Sequence, residues 1–153
     1  MDIHIRNATI DDYQSAETIM RQVQQLHIDW RPDIYRHSET VLPADIYEQA
    51  LRDQTFYVAE CGGHVAGIMM ILYRHIESTN QVTRDVIFID SMAVDEQYRG
   101  KGIGHAFFDF LKKLKRQKGC DGIELQVNAR NKAAYQMYVN CGFTEKSINM
   151  ELL

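Results

Sequence analysis

The chain has 153 residues, 45% of them hydrophobic and 25% charged, with a formal net charge of −4. At ~150 residues per domain this predicts a single domain over residues 1–153, and it excludes a disordered or collagen-like chain. The longest apolar run, Val65 to Leu72, falls short of the ~20 residues that a membrane span needs. Met1-Asp2-Ile3-His4-Ile5 has neither a basic leader nor an apolar block, and Cys61, Cys120 and Cys141 lack any C-x-x-C spacing. The expectation is a cytoplasmic protein with reduced thiols and no membrane attachment.

Charge is unevenly spread. Residues 1–96 carry seven basic and sixteen acidic side chains (7 − 16 = −9), whereas residues 97–153 carry ten and five (10 − 5 = +5). Such asymmetry fits an anionic ligand meeting the second half. Part of it has a local explanation, because Lys112, Lys113, Lys115, Arg116 and Lys118 fall in the last turns of one expected helix, where cations complement the dipole.

In chain order, Ile3 to Arg6 alternates as a first strand. Asp11-Asp12 reads as a helix start, followed by Tyr13, Ala16, Ile19, Met20, Val23 and Leu26 on one helical face. The segment His27 to Arg36 reads as a loop broken by Pro32, and a second helix begins near Pro43 with Ile46, Tyr47, Ala50 and Leu51 on one side. Phe56 to Ala59 and Val65 to Tyr73 are strands joined through Gly62-Gly63, a hairpin signal. Val82 to Val94 is a further strand. Gly100 to Gly104 opens a helix with Ile103, Phe107, Leu111 and Leu114 in phase, ended by Gly119 and Gly122. Ile123 to Val127 alternates as a strand, Asn131 to Cys141 is helical, and Phe143 to Leu153 reads as a closing strand. The order βααβββαβαβ predicts an α+β domain with a helical crossover between its later strands.

The densest chemical signal is Gln97-Tyr98-Arg99-Gly100-Lys101-Gly102-Ile103-Gly104, between a strand and a helix. Alternate glycines let the backbone approach a ligand, and a helix start points free N–H groups at it, which suits phosphate oxygens. Arg99 and Lys101 add positive charge there. No Gly-Lys is followed by Ser or Thr, as a Walker A loop requires, and Gly102-Ile103-Gly104 runs on to His105-Ala106-Phe107 rather than completing G-x-G-x-x-G. The six histidines show no H-x-x-x-H or Cys/His cluster, so no metal is expected, and no basic, aromatic-laced face points to nucleic acid.

The Gln97-x-x-Gly100-x-Gly102 run, extended to Gly104, resembles the acetyl-CoA pyrophosphate loop of GNAT-type N-acetyltransferases. Met92-Ala93-Val94-Asp95 resembles the end of the family's preceding strand. Asn131-Lys132-Ala133-Ala134-Tyr135-Gln136-Met137-Tyr138 with Gly142-Phe143 is similar to its second signature block, and Arg6 to Asp12 to its opening. The resemblance runs from about residue 3 to the C-terminus. It implies the GNAT acyltransferase fold, a mixed, mostly antiparallel central sheet flanked by helices.

It also implies site roles. The backbone of Met92, Ala93 and Val94 would bond the pantetheine arm of acetyl-CoA like an added strand, the amides of Arg99, Gly100, Lys101, Gly102, Ile103 and Gly104 would hold the pyrophosphate, and Asn131 and Ala134 would contact the cosubstrate. Asn131 also suits a helix N-cap. Tyr138, two helical turns from Asn131, is the expected general acid for the departing thiolate, with Tyr135 the fallback. Asp90, a carboxylate expected to be buried and to share a face with Met92 and Val94, is the expected general base, with Glu124 or a water chain as alternatives. Trp30 and Tyr35, among acidic residues, would receive a cationic amine. The implied reaction is direct transfer of acetyl from acetyl-CoA to a primary amine, a small molecule ahead of a protein N-terminus or lysine; the alternative is a non-catalytic acetyl-CoA sensor. Monomer and homodimer both stay open.

Overall fold

The computed structural model describes all 153 residues. Five strands form one sheet in the order β1-β2-β3-β4-β5, with β1 Ile3–Asn7, β2 Phe56–Cys61, β3 His64–Ser78, β4 Gln81–Val94 and β5 Gly122–Leu125. The pairs from β1 to β4 are antiparallel, and β5 runs parallel to β4. Four helices cover the sheet: α1 Tyr13–Trp30, α2 Ala44–Asp53, α3 Ile103–Lys118 and α4 Lys132–Asn140. The expected α+β class and mixed, mostly antiparallel sheet are present. No helix is long and apolar enough to cross a membrane.

The strand pleat sorts side chains into two cores. On one face Tyr57, Met69, Ile71, Ile87 and Ile89 pack under Phe107, Phe108 and Leu111 of α3. On the other, Phe56, Val58, Ile68 and Ala93 meet Ala16 and Ile19 of α1 and Tyr47 and Ala50 of α2. Gly62 and Gly63, at φ 56° and 81°, form the β2–β3 turn, since two successive positive φ values give a hairpin turn whose twist matches its strands.

Several boundaries differ from the sequence expectation. Asp12 does not open α1 as a dipole-facing residue. It is buried, accepts two bonds from Arg6 at 2.8 and 3.0 Å and one from the Thr9 amide, and closes a 3₁₀ turn before Tyr13. The segment after Leu26 is not loop, because α1 continues to Trp30. Pro32 constrains only the residue before it, and Arg31 leaves the helix at φ −141°. Ile46 lies off the buried face of α2 and is 48% exposed. Gly122 starts β5 rather than ending α3, whose cap is Gly119 at φ 66°.

The expected closing strand does not form. Residues 143–153 have no regular structure, and Ile148, Met150 and Leu152 are exposed despite their period-two spacing. Side chains rather than a ladder hold this segment: Glu145 accepts from the Tyr135 hydroxyl, Lys146 pairs with Glu124, and Glu151 pairs with Arg31. Alternation shows what a strand would bury and does not supply the ladder bonds that make one.

Candidate active site

Strands β4 and β5 are paired from Val86↔Gly122 to Ile89↔Leu125 and then part. β4 continues to Val94 while β5 stops, so the sheet forks. At the fork, β4 carries a bulge: Ile71 pairs with Ile89 and Met70 with Ser91, leaving Asp90 without a partner on β3. The bulge shifts the alternation, because Ile87 and Ile89 below it and Met92 and Val94 above it all belong to the core beneath α3.

A cavity of about 190 Å³ fills the fork. Its strand side is Ile89 to Ala93 and the residues that follow β5, Gln126 to Asn128. Met20, Val23, Gln24 and His27 of α1 wall it from one face of the sheet, while Asn131 and Tyr138 reach it from the α4 end. Of the residues expected to act, Asp90, Met92, Ala93, Asn131 and Tyr138 therefore meet in one place.

The glycine turn lies close by in the fold, between Val94 and α3. Gly100 and Gly102 have φ of 75° and 89°, a left-handed conformation that costs other residues ~1–2 kcal/mol. A Cβ at either position would meet nothing within 4 Å, so the space in front of this backbone is open. Gly102 caps α3, and its carbonyl takes the Ala106 amide at 3.0 Å. The amides of Ile103, Gly104 and His105 precede that first intrahelical bond and are free for a ligand. Arg99 and Lys101 are exposed on either side of Gly100. An open, amide-rich, cationic helix start fits a pyrophosphate. Gly104 answers a second requirement: a Cβ there would sit 2.8 Å from the Met137 sulfur, so glycine lets α3 and α4 close together.

Asn131 caps α4, its side chain accepting from the Ala134 amide at 3.2 Å. That bond occupies Ala134 as part of the cap. Tyr138 packs its ring edge-on to Phe108 at 5.7 Å and against Phe143 at 6.0 Å, so it is at once a packed aromatic and a cavity residue. Burial pushes its phenol above the ordinary value of 10, which keeps the proton on at neutral pH. Tyr135 is turned away, 39% exposed and donating to Glu145.

Asp90 is not the buried carboxylate anticipated. It is exposed at the cavity, and the bulge removes the simple alternation that placed it with Met92 and Val94. Glu124 accepts from Arg84 at 2.8 Å and Lys146 at 2.9 Å and does not line the cavity. Trp30 and Tyr35 do not line it either; they lie 5.9 and 4.8 Å from the ring of His27. His27, which the sequence pattern places at the start of a loop, lines the cavity from the last turns of α1. It extends the Met20, Val23 stripe at helical spacing, a signal that Pro32 five residues on obscures by suggesting an earlier break.

Residues 20–143 match the sequence profile of the acetyltransferase (GNAT) family. Over 71 residues the chain is 32% identical to streptothricin acetyltransferase of Escherichia coli, covering 46% of this chain and 41% of that protein. It is 28% identical over 151 residues to an N-alpha-acetyltransferase of Sulfurisphaera tokodaii, covering 96% and 83%. A variant of the BH1408 protein of Bacillus halodurans superposes with a TM-score of 0.89 at 26% identity, over 98% of both chains. The alignments with the first curated relatives span less than half of those proteins' length.

Proposed function

The chain belongs to the acetyltransferase (GNAT) family, and on that premise we propose that it moves an acetyl group from acetyl-CoA directly to a primary amine while both are bound. The observation that carries this reading is the fork cavity, where a half-buried phenol, Tyr138, and the unpaired edge of β4 stand beside an open glycine turn. Acetyl-CoA supplies the activated thioester and its thiolate leaving group.

Each part of the site then has a task. The free amides at the start of α3, with Arg99 and Lys101, hold the pyrophosphate. Beyond Ile89, β4 lacks a β5 partner, and the backbone of Met92 and Val94 offers its bonding groups to the pantetheine amides as a neighbouring strand would. The Ala93 backbone, in step with the Asp95 amide that bonds Ala66, is turned to β3 and shapes the cavity wall. Asn131 fixes the start of α4 and so the position of Tyr138 on its second turn. Tyr138, protonated at neutral pH, gives its proton to the thiolate as the C–S bond breaks. Asp90, exposed at the cavity, attracts the incoming ammonium by charge. Trp30 and Tyr35 act one layer out, by packing against His27.

A small-molecule amine is the favoured acceptor class, because the cavity is small and walled on several sides. A protein N-terminus or lysine side chain would enter as its last few atoms only. The test is twofold. Acetyl-CoA should raise the melting temperature by mass action on the native state, with no comparable shift from ATP or NAD. In a panel of primary amines, at least one should gain an acetyl group by mass spectrometry in step with free thiol release. Equal stabilisation by ATP, or binding without transfer to any amine, contradicts the proposal.

A further inference from the structure

The fork has two sides, and the chemistry proposed for it needs a proton donor on one and a proton acceptor on the other. Tyr138 belongs to the core beneath α3, the side on which the glycine turn sits. Its proton goes to sulfur. The amine must approach from the opposite side of the thioester, which is the face covered by α1. The titratable side chain that α1 contributes to the cavity is His27.

Resting on the acetyl-transfer reading, we infer that His27 is the base that takes the proton from the acceptor ammonium. Its ring is held against Trp30 and Tyr35 by tilted aromatic contacts, at 5.9 and 4.8 Å, and no protein group hydrogen-bonds its nitrogens. A ring positioned by packing, with no hydrogen-bond partner, keeps its nitrogen lone pair free to receive a proton. Burial lowers its pKa below the ordinary 6.5, so the neutral, basic form prevails at pH 7. Other charged groups around it are accounted for. Asp90 faces the cavity from β4 and Tyr138 from α4; Arg31 is engaged by Asp33 and Glu151, and Arg130 donates to the Trp30 carbonyl. None of these bonds to the imidazole.

The step balances. One N–H bond of the ammonium breaks and its proton passes to His27 and on to water. The freed lone pair forms the C–N bond as the C–S bond breaks. Sulfur takes the Tyr138 proton, and the second proton lost by the amine nitrogen restores the phenol. The net products are the amide, the free thiol of CoA and one proton.

Two variants test this. His27→Phe keeps a flat ring for Trp30 and Tyr35 but has no basic nitrogen; His27→Gln keeps polarity without a base. In the ligand-free protein, proton NMR should show one imidazole titrating below pH 6.5 that is missing from both variants. With a saturating accepted amine, wild-type kcat should fall on the acid side. Both variants should lose roughly 10²–10⁴-fold of the plateau and show no such acid limb, with acetyl-CoA affinity unchanged. Asp90→Asn should instead raise KM for the amine and keep the limb. If either His27 variant retains the plateau and the limb, or if the His27 ring titrates above 6.5, the assignment is overturned. If the wild-type protein acetylates no amine, the acetyl-transfer reading itself fails first, an outcome distinct from turnover that survives loss of His27.

Discussion

Ile89 and Leu125 are the last paired residues of β4 and β5, and the cavity opens immediately beyond them, with both residues in its lining. One register position thus sets where the sheet ends as a closed surface and where a ligand can enter it. The Asp90 bulge falls at the same level, so strand divergence and the break in alternation coincide. Below this level the sheet is core; above it, β4 has one free edge beside the glycine turn that leads into α3.

The first prediction concerns that turn. Gly102→Ala leaves the core alone, because nothing lies within 4 Å of the new Cβ, but it strains a backbone at φ 89° and puts a methyl group into the open space. The strain should lower stability by the ~1–2 kcal/mol that a left-handed conformation costs an L residue, and acetyl-CoA affinity should fall by about tenfold or more because the methyl stands where the ligand approaches the turn. Lys101→Ala removes one exposed charge and should cost less than about fivefold. Calorimetry on the two folded variants decides the order.

Gly67 couples the sheet to the same turn. A Cβ there would stand 3.0 Å from side-chain atoms of Ile103 and Phe107 and 3.2 Å from the Ala93 carbonyl. Ile103 is the first residue of α3, so Gly67→Ala should push the helix start away from the strand. Overpacking of this kind costs ~1–3 kcal/mol. A lowered urea midpoint together with weaker acetyl-CoA binding is expected; a loss of stability alone would mean that the turn moves independently of β3.

The Arg6–Asp12 pair sets a pH dependence of stability. The Arg6 guanidinium, which also bonds Glu60 at 2.7 Å, holds the Asp12 carboxyl below its ordinary 3.8. A carboxylate with a depressed folded pKa contributes stability that is fully present above its unfolded value and is lost as pH falls through the folded one. Asp12→Asn should therefore cost about 1.5–3 kcal/mol at pH 7, the range of hydrogen bonds to charged groups. The difference from wild type should shrink below pH 3.8, as chemical denaturation at pH 7 and pH 3 can show.

The order of helices and strands was legible where each element carries its own pattern. The Gly62-Gly63 hairpin, the α3 stripe through Ile103, Phe107 and Leu111, and the Asn131 cap are local and follow from residues next to one another. The site was legible as a motif, but its walls depend on the β4–β5 register and on where α1 stops. A bulge at Asp90 costs nothing visible in the residue pattern, so alternation assigned Asp90 to a buried face where the fold leaves it exposed. Pro32 does mark a break, yet a proline restrains the residue just before it and not the turn before that, so α1 runs four residues beyond Leu26, the last of its apolar stripe, and carries His27 into the cavity. The C-terminal segment shows the reverse error, a strand pattern with no ladder beside it.

The account turns on Tyr138, and its most direct test is kcat and acetyl-CoA affinity measured together for Tyr138→Phe. The change removes one oxygen that makes no hydrogen bond within the chain and leaves the ring to pack on Phe108 and Phe143. With an accepted amine, kcat should fall roughly 10²–10⁴-fold, the usual loss for a missing general acid, while acetyl-CoA affinity and KM hold. Tyr135→Phe, altering a phenol that faces Glu145 outside the cavity, should behave as wild type. Full kcat in Tyr138→Phe, with chemistry shown to be rate-limiting, would contradict the account and make Tyr138 a core residue only.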